Sequence, residues 1–133
     1  MRQRALDAVA QVEKHPDDAL AREFLAAELI QVGEVEQGLR QAKLAENLAP
    51  DDGRTLYNVA CAYAQAGEME KAVEMLKRAT ALLEDFIRDW PARDPDLAAL
   101  RDHPEFRRMF IEPEKRRTES GKSPPSDAGS RER

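Results

Sequence analysis

One spacing constrains this chain more than any other feature: segments recur 34 residues apart. Pro16-Asp17-Asp18 returns as Pro50-Asp51-Asp52, and Gly33-Glu34-Val35-Glu36 returns as Gly67-Glu68-Met69-Glu70. The same offset pairs Leu25-Ala26 with Val59-Ala60, Leu29 with Tyr63, Gln31 with Gln65, Lys43 with Lys77, Ala45 with Ala79 and Leu48 with Leu82. A fixed period of this length is the mark of an array, in which one small unit is stacked on the next.

Within each unit the apolar spacing is helical. Leu25, Leu29 and Val32 share a stripe, as do Leu56, Val59 and Tyr63, at steps of three and four rather than two. Val35, Leu39 and Ala42 form the next stripe, matched by Met69, Val73 and Leu76. Gly33 and Gly67 suit the left-handed position that closes a helix. Glu34, Glu36, Glu68 and Glu70 then sit where the next helix dipole favours negative charge. Pro50 blocks continuation of the helix before it, and Asp51 or Asp52 can cap the one after. The expected helices cover 2–14, 18–31, 35–48, 53–65 and 69–85. The first corresponds to the second helix of a unit, because Pro16 stands where Pro50 stands. Either the domain begins with a lone packing helix or the chain is a fragment.

Residues 87–112 supply further apolar surface. Asp94-Pro95-Asp96-Leu97 reads as a capped short helix with proline at its first position, and Asp102-His103-Pro104-Glu105-Phe106 repeats that chemistry. Trp90, Leu97, Leu100, Phe106 and Phe110 are expected to cover the open end of the array. From Pro113 to Arg133 there is no Val, Ile, Leu, Met, Phe, Trp, Tyr or Cys. Such a segment cannot bury enough surface to offset its ordering entropy. The expected organisation is therefore a helical domain over 1–112 and a disordered tail over 113–133. The tail carries a net charge of +2, including Lys115-Arg116-Arg117, so of the chain's −5 the body holds about −7.

The paired pattern resembles the tetratricopeptide repeat family. In the second unit Val59-Ala60, Tyr63, Gly67, Ala72, Leu76 and Ala79 stand at family positions; Leu56 replaces the frequent tryptophan and Glu84 the closing proline. In the first, Leu25, Ala26, Leu29, Gly33, Ala45 and Pro50 match, whereas Arg22 and Ala42 depart from large apolar types. The resemblance covers about residues 2–86. The Trp, Asp-Pro-Asp-Leu and Pro-x-Phe run after it is similar to endings of bacterial repeat regions in signalling proteins. The resemblance implies an all-α, right-handed solenoid of antiparallel helix pairs with a C-terminal helical cap. It implies a non-catalytic module that binds a peptide or protein partner. The alternative is a regulatory segment of a larger signalling assembly, a nucleotide cyclase or kinase system with the catalytic domain elsewhere.

In this family the first helix of each pair lines the groove. The corresponding residues are Glu23, Ala27, Ile30 and Gln31 in the first unit, and Arg54, Tyr57, Asn58, Cys61 and Gln65 in the second. Arg54 and Asn58 could hydrogen-bond a partner's carboxylate or backbone, and Tyr57 could pack or stack. Relatives that grip acidic chaperone tails place a lysine where Glu23 stands and an asparagine where Ala27 stands, which argues against that clamp here.

Other chemistries find little support. His15 and His103 both precede prolines and have no second ligand at helical spacing, so no metal site is expected. Cys61 has no histidine or electropositive neighbour in the local sequence, and one cysteine forms no internal disulfide. Asp51-Asp52 and Glu68 with Glu70 sit at helix starts, where capping explains them better than acid–base catalysis. No glycine cluster precedes Lys-Ser or Lys-Thr, and no cofactor is expected. An acidic chain is a poor partner for nucleic acid. No run approaches about 18 apolar residues, so no membrane span is expected. Met1-Arg2-Gln3-Arg4 runs straight into Asp7 without an apolar stretch, so a cytoplasmic protein is expected. Leu6, Val9 and Val12 form a stripe on the first helix that could support self-association.

Overall fold

A computed structural model describes residues 3–83 and 89–112. These residues are helical wherever they are regular, with no strand among them. The order is α1 (Gln3–Lys14), α2 (Ala19–Gln31), α3 (Val35–Leu48), α4 (Gly53–Gln65) and α5 (Met69–Leu83). A 3-10 helix, Pro95–Leu100, and a helical turn, α6 (Pro104–Phe106), continue into a π-helical turn, Arg107–Ile111. No helix among the described residues is long and apolar enough to cross a membrane. The expected tail, 113–133, lies outside the described residues, as does Ile87.

The 34-residue period reappears bond by bond. Asp18 caps α2 by accepting from Leu20 N, and Asp52 caps α4 by accepting from Arg54 N and Thr55 N. Gly33 and Gly67 adopt φ of 91° and 86°, the left-handed region an L side chain resists. Around them Glu34 N reaches Leu29 O at 2.8 Å, and Glu68 N reaches Tyr63 O at 2.8 Å. Each turn lets the chain double back. Gly38 on α3 lies so close to α2 that a Cβ there would meet Ile30 Cγ1 at 2.6 Å. Gly53, opening α4, similarly abuts Leu82 and Leu83 at the end of α5. Thus α2 pairs with α3 and α4 with α5, each as a helical hairpin.

The main core shared by the hairpins is rich in small residues. Ala26, Ala42, Ala45, Ala60, Ala72 and Ala79 are all essentially inaccessible to solvent. Replacing one by a large side chain would cost about 1–3 kcal/mol through overpacking. Polar bonds also cross the junction: Arg78 Nη1 donates to the buried Glu46 at 2.7 Å, and its Nη2 to Pro50 O at 3.3 Å. Arg22, which departs from the apolar pattern, bonds Gln41 Oε1 at 2.8 Å and Pro16 O at 2.9 Å. It holds by hydrogen bonds what its counterpart Leu56 holds by burial.

Two faces follow expectation only in part: of the free stripe expected on α1, Leu6 remains outward but Val12 is buried. On α1 the buried residues are Ala5, Ala8 and Val12, while Leu6 stays 50% exposed. The tightest approach to α2 runs along the small residues, which turns Leu6 outward. Ala8, Val12, Ala21, Leu25 and Leu29 make a small separate core. At the other end the cover holds in part. Leu97, Leu100 and Phe106 are fully buried and join the main core, with the 3-10 helix packed against α4 and α5. Phe110 tilts against Phe106 at 5.1 Å between ring centroids and is half-buried. Trp90 is 42% exposed instead, because Pro91 takes the buried position beside it. The cap of α6 is His103, whose Nδ1 accepts from Glu105 N at 3.2 Å; Asp102 plays no part in it.

Candidate functional site: a groove across α1, α2 and α4

The outward faces of α2 and α4 line two adjoining clefts. The first, about 240 Å³, is lined by Glu23, Ala27, Gln31, Asn58, Cys61 and Gln65 together with Phe24 and Asp96. The second, about 270 Å³, is lined by Arg54, Tyr57, Asn58 and Cys61 with Trp90, Asp94 and Asp96. Asn58, Cys61 and Asp96 belong to both, so the clefts run together. A third hollow, about 460 Å³, opens between α1 and α2. It shares Arg4, Leu20, Phe24 and Glu28 with the first. One continuous groove results.

Eight of the nine residues assigned to a groove from sequence line it. Ile30 does not. Its side chain packs beside Gly38 of α3 within the main core, because the glycine leaves room for it there. Tyr57 is also not free to stack on a partner as expected: it is buried, and its hydroxyl donates to Asp94 Oδ2 at 2.6 Å.

The chain's own later segment forms one wall. Asp94 is buried and caps the 3-10 helix, accepting from Asp96 N at 2.9 Å. Gln65 Nε2 donates to Asp96 Oδ1 at 3.0 Å. Across the floor, Asn58 Nδ2 donates to Glu23 Oε1 at 2.7 Å, tying α2 to α4. These bonds orient Asn58 and Gln65 along the groove and fix its width. On the other bank Arg4 closes on Glu28 at 2.9 Å.

The electrostatics of the groove are those of crowded acids. Burial pushes the Glu23 carboxyl above the usual range, with Asp52 and Asp18 adding to it and hydrogen bonds from Asn58 and Thr55 opposing. Burial and then Asp94 raise Asp96, against the Gln65 bond. Burial foremost, followed by Asp94 and Asp96, drives the Cys61 thiol far upward. A thiol held protonated in this way is a poor nucleophile. Burial and the bond to Asp94 likewise raise the Tyr57 phenol.

Sequence reasoning missed the α1 side of the groove, with Arg4, Asp7, Asp18 and Glu28, and also Leu20, Phe24, Trp90, Asp94 and Asp96. Phe24 is 61% exposed and Leu20 54%, a clear anomaly for large apolar residues. The helical spacing of Leu20 and Phe24, off the Leu25–Leu29 stripe, could have flagged them. Nothing local could have brought Asp94 and Asp96 to α4. The fold also places Cys61 Sγ and carboxylate oxygens of Asp94 and Asp96 within 4.8 Å of one another, a grouping of ligand-type atoms the sequence did not suggest. Both Asp94 oxygens already accept hydrogen bonds, as does one of Asp96. His103, the second histidine weighed from sequence, lies elsewhere, with Nε2 3.0 Å from Glu70.

No protein-family model matches the chain, and no solved structure matches it.

Proposed function

We propose that this chain is a tetratricopeptide-like interaction module, a short right-handed solenoid whose groove holds a peptide or a segment of a protein partner. The observation that carries this reading is the groove itself. It is long and open, and its polar side chains are held at set angles by bonds between helices rather than converging on one point. Such a surface offers hydrogen-bonding groups along a chain-like ligand, and pre-oriented groups lose less entropy on binding. A catalytic pocket would instead gather an activated nucleophile, a base and an oxyanion site about one atom. The thiol is held protonated and each bonded carboxylate is engaged with a neighbour in the wall, so the groove favours holding over transforming. The reading as a regulatory segment of a signalling assembly rests on the C-terminal resemblance and is compatible with the same groove.

The test fills the groove. Ala27 is half-buried in its floor, so Ala27→Trp places an indole in the first cleft. Peptides selected by display on the native chain should lose binding to this variant, with helicity and unfolding midpoint kept. Undiminished binding by a folded Ala27→Trp protein would move the site off this face.

A further inference from the structure

We infer that the groove selects a basic segment of another protein, with lysine or arginine side chains spaced between apolar ones. The inference rests on the groove reading above and adds the chemistry of the ligand.

The charge distribution carries it. At the α1–α2 end the groove is lined by Asp7, Asp18 and Glu28. At the α4 end it is lined by Glu23, Asp94 and Asp96. The cations among the lining residues are Arg4 and Arg54, and Arg4 is already closed onto Glu28. Arg54 stands at the far end beside Trp90. The central cleft therefore has carboxylates on both banks. The raised Glu23 and Asp96 report the same thing, since each is penalised by burial and by neighbouring acids. A cation between these banks offsets the repulsion among the acids, whereas an acidic ligand adds to it. The hollow between α3 and α5 has the opposite balance, with Arg40, Lys43 and Lys71 against Glu46 and Glu74. Two exposed apolar landmarks complete the pattern. Leu20 and Phe24 stand at one end and Trp90 at the other. They offer contact area to apolar side chains flanking the basic ones, and Trp90 offers a ring face to a guanidinium.

Of the two roles expected from sequence for Arg54 and Asn58, bonding a partner's carboxylate or its backbone, this leaves the backbone. Asn58 gives one of its two amide N–H groups to Glu23, and Arg54 is outnumbered.

The experiment is a selection of short random peptides on the full chain, with sequencing of the retained pool. The expected pool is rich in Lys and Arg next to apolar residues and poor in Asp and Glu, and its binding falls as salt is raised. A representative basic peptide, measured by fluorescence anisotropy, should bind Asp7→Asn/Asp96→Asn about fivefold more weakly, the effect of losing two exposed charge pairs. Phe24→Ala should also weaken it. Glu36→Gln/Glu74→Gln makes the same change in net charge outside the groove and should leave binding unchanged. Circular dichroism establishes that each variant is folded. A retained pool that is acidic or neutral, yet lost with Ala27→Trp, would overturn the basic ligand and keep the groove. Peptides indifferent to Ala27→Trp and to the Asp pair alike would overturn both. Equal losses in the groove and control pairs would reduce the effect to general attraction by an acidic protein and overturn the assignment. Basic-peptide binding that emerges only once residues 113–133 are removed would make Lys115-Arg116-Arg117 of this chain the occupant and overturn a separate partner.

Discussion

Phe106→Ala tests how the array is closed. The side chain is fully buried within the main core, and it carries the ring of Phe110 against it. Removing a buried phenylalanine ring costs about 3–5 kcal/mol, the lost transfer energy plus the cavity left behind. Full relaxation is blocked because Leu97 and Leu100, also inaccessible, are pinned through Asp94 to Tyr57 and through Asp96 to Gln65. For a domain of this size about 1 kcal/mol corresponds to roughly 4 °C in the midpoint, so the variant should unfold about 12–20 °C lower. Urea unfolding followed by far-UV circular dichroism gives the free energy and its slope. If the cover detaches as a unit, the slope falls as well, because the remaining transition exposes less surface. A folded Phe106→Ala protein whose midpoint drops by less than about 3 °C, with an unchanged slope, would refute the argument that residues 95–106 close the core.

Further perturbations address single bonds. Tyr57→Phe leaves buried Asp94 without its hydroxyl donor and should cost about 1–3 kcal/mol in urea unfolding; a change below about 0.5 kcal/mol would mean that the bond adds nothing net. Gly67→Ala isolates a dihedral cost, since an added Cβ has no neighbour within 4 Å while φ is 86°. It should destabilise by about 1–2 kcal/mol, and Gly33→Ala by a similar amount; neutrality of both would contradict the left-handed closures. The raised Glu23 and Asp96 set a pH dependence of definite sign. In the range between their unfolded and folded values the native state binds more protons than the unfolded chain, so their contribution to stability declines as pH rises through that range. Thermal unfolding across mildly acidic to neutral pH should show Glu23→Gln with a flatter profile than the native chain, and unfolding no more readily at neutral pH. A parallel profile would deny that Glu23 is perturbed.

Much of this architecture could be read from local spacing. The turn glycines, the capping aspartates and the apolar steps all act within a few residues, so the helix limits over 3–65 agree with expectation to within a residue or so, and α5 is described to Leu83. The groove was legible for the same reason. Residues at equivalent places in two copies of one unit must present themselves on one side, and eight of the nine assigned positions do. Ile30 escaped because its direction depends on Gly38, a close approach visible only in three dimensions. Val12 escaped because the alanines of α1 bring its side of the helix onto α2, while Leu6 stays on the free side.

The amino-acid order alone dictated the period, the helices and the face they offer, since each follows from contacts within one turn or one hairpin. The character of that face came from tertiary structure. Asp94 and Asp96 reach α4 across more than thirty residues of chain, carried there by the burial of Leu97, Leu100 and Phe106. Only that long-range docking walls the groove, engages Tyr57 and adds two carboxylates to the residues that line it. Charge at a site sums over everything folded near it, and no spacing along the chain encodes that sum.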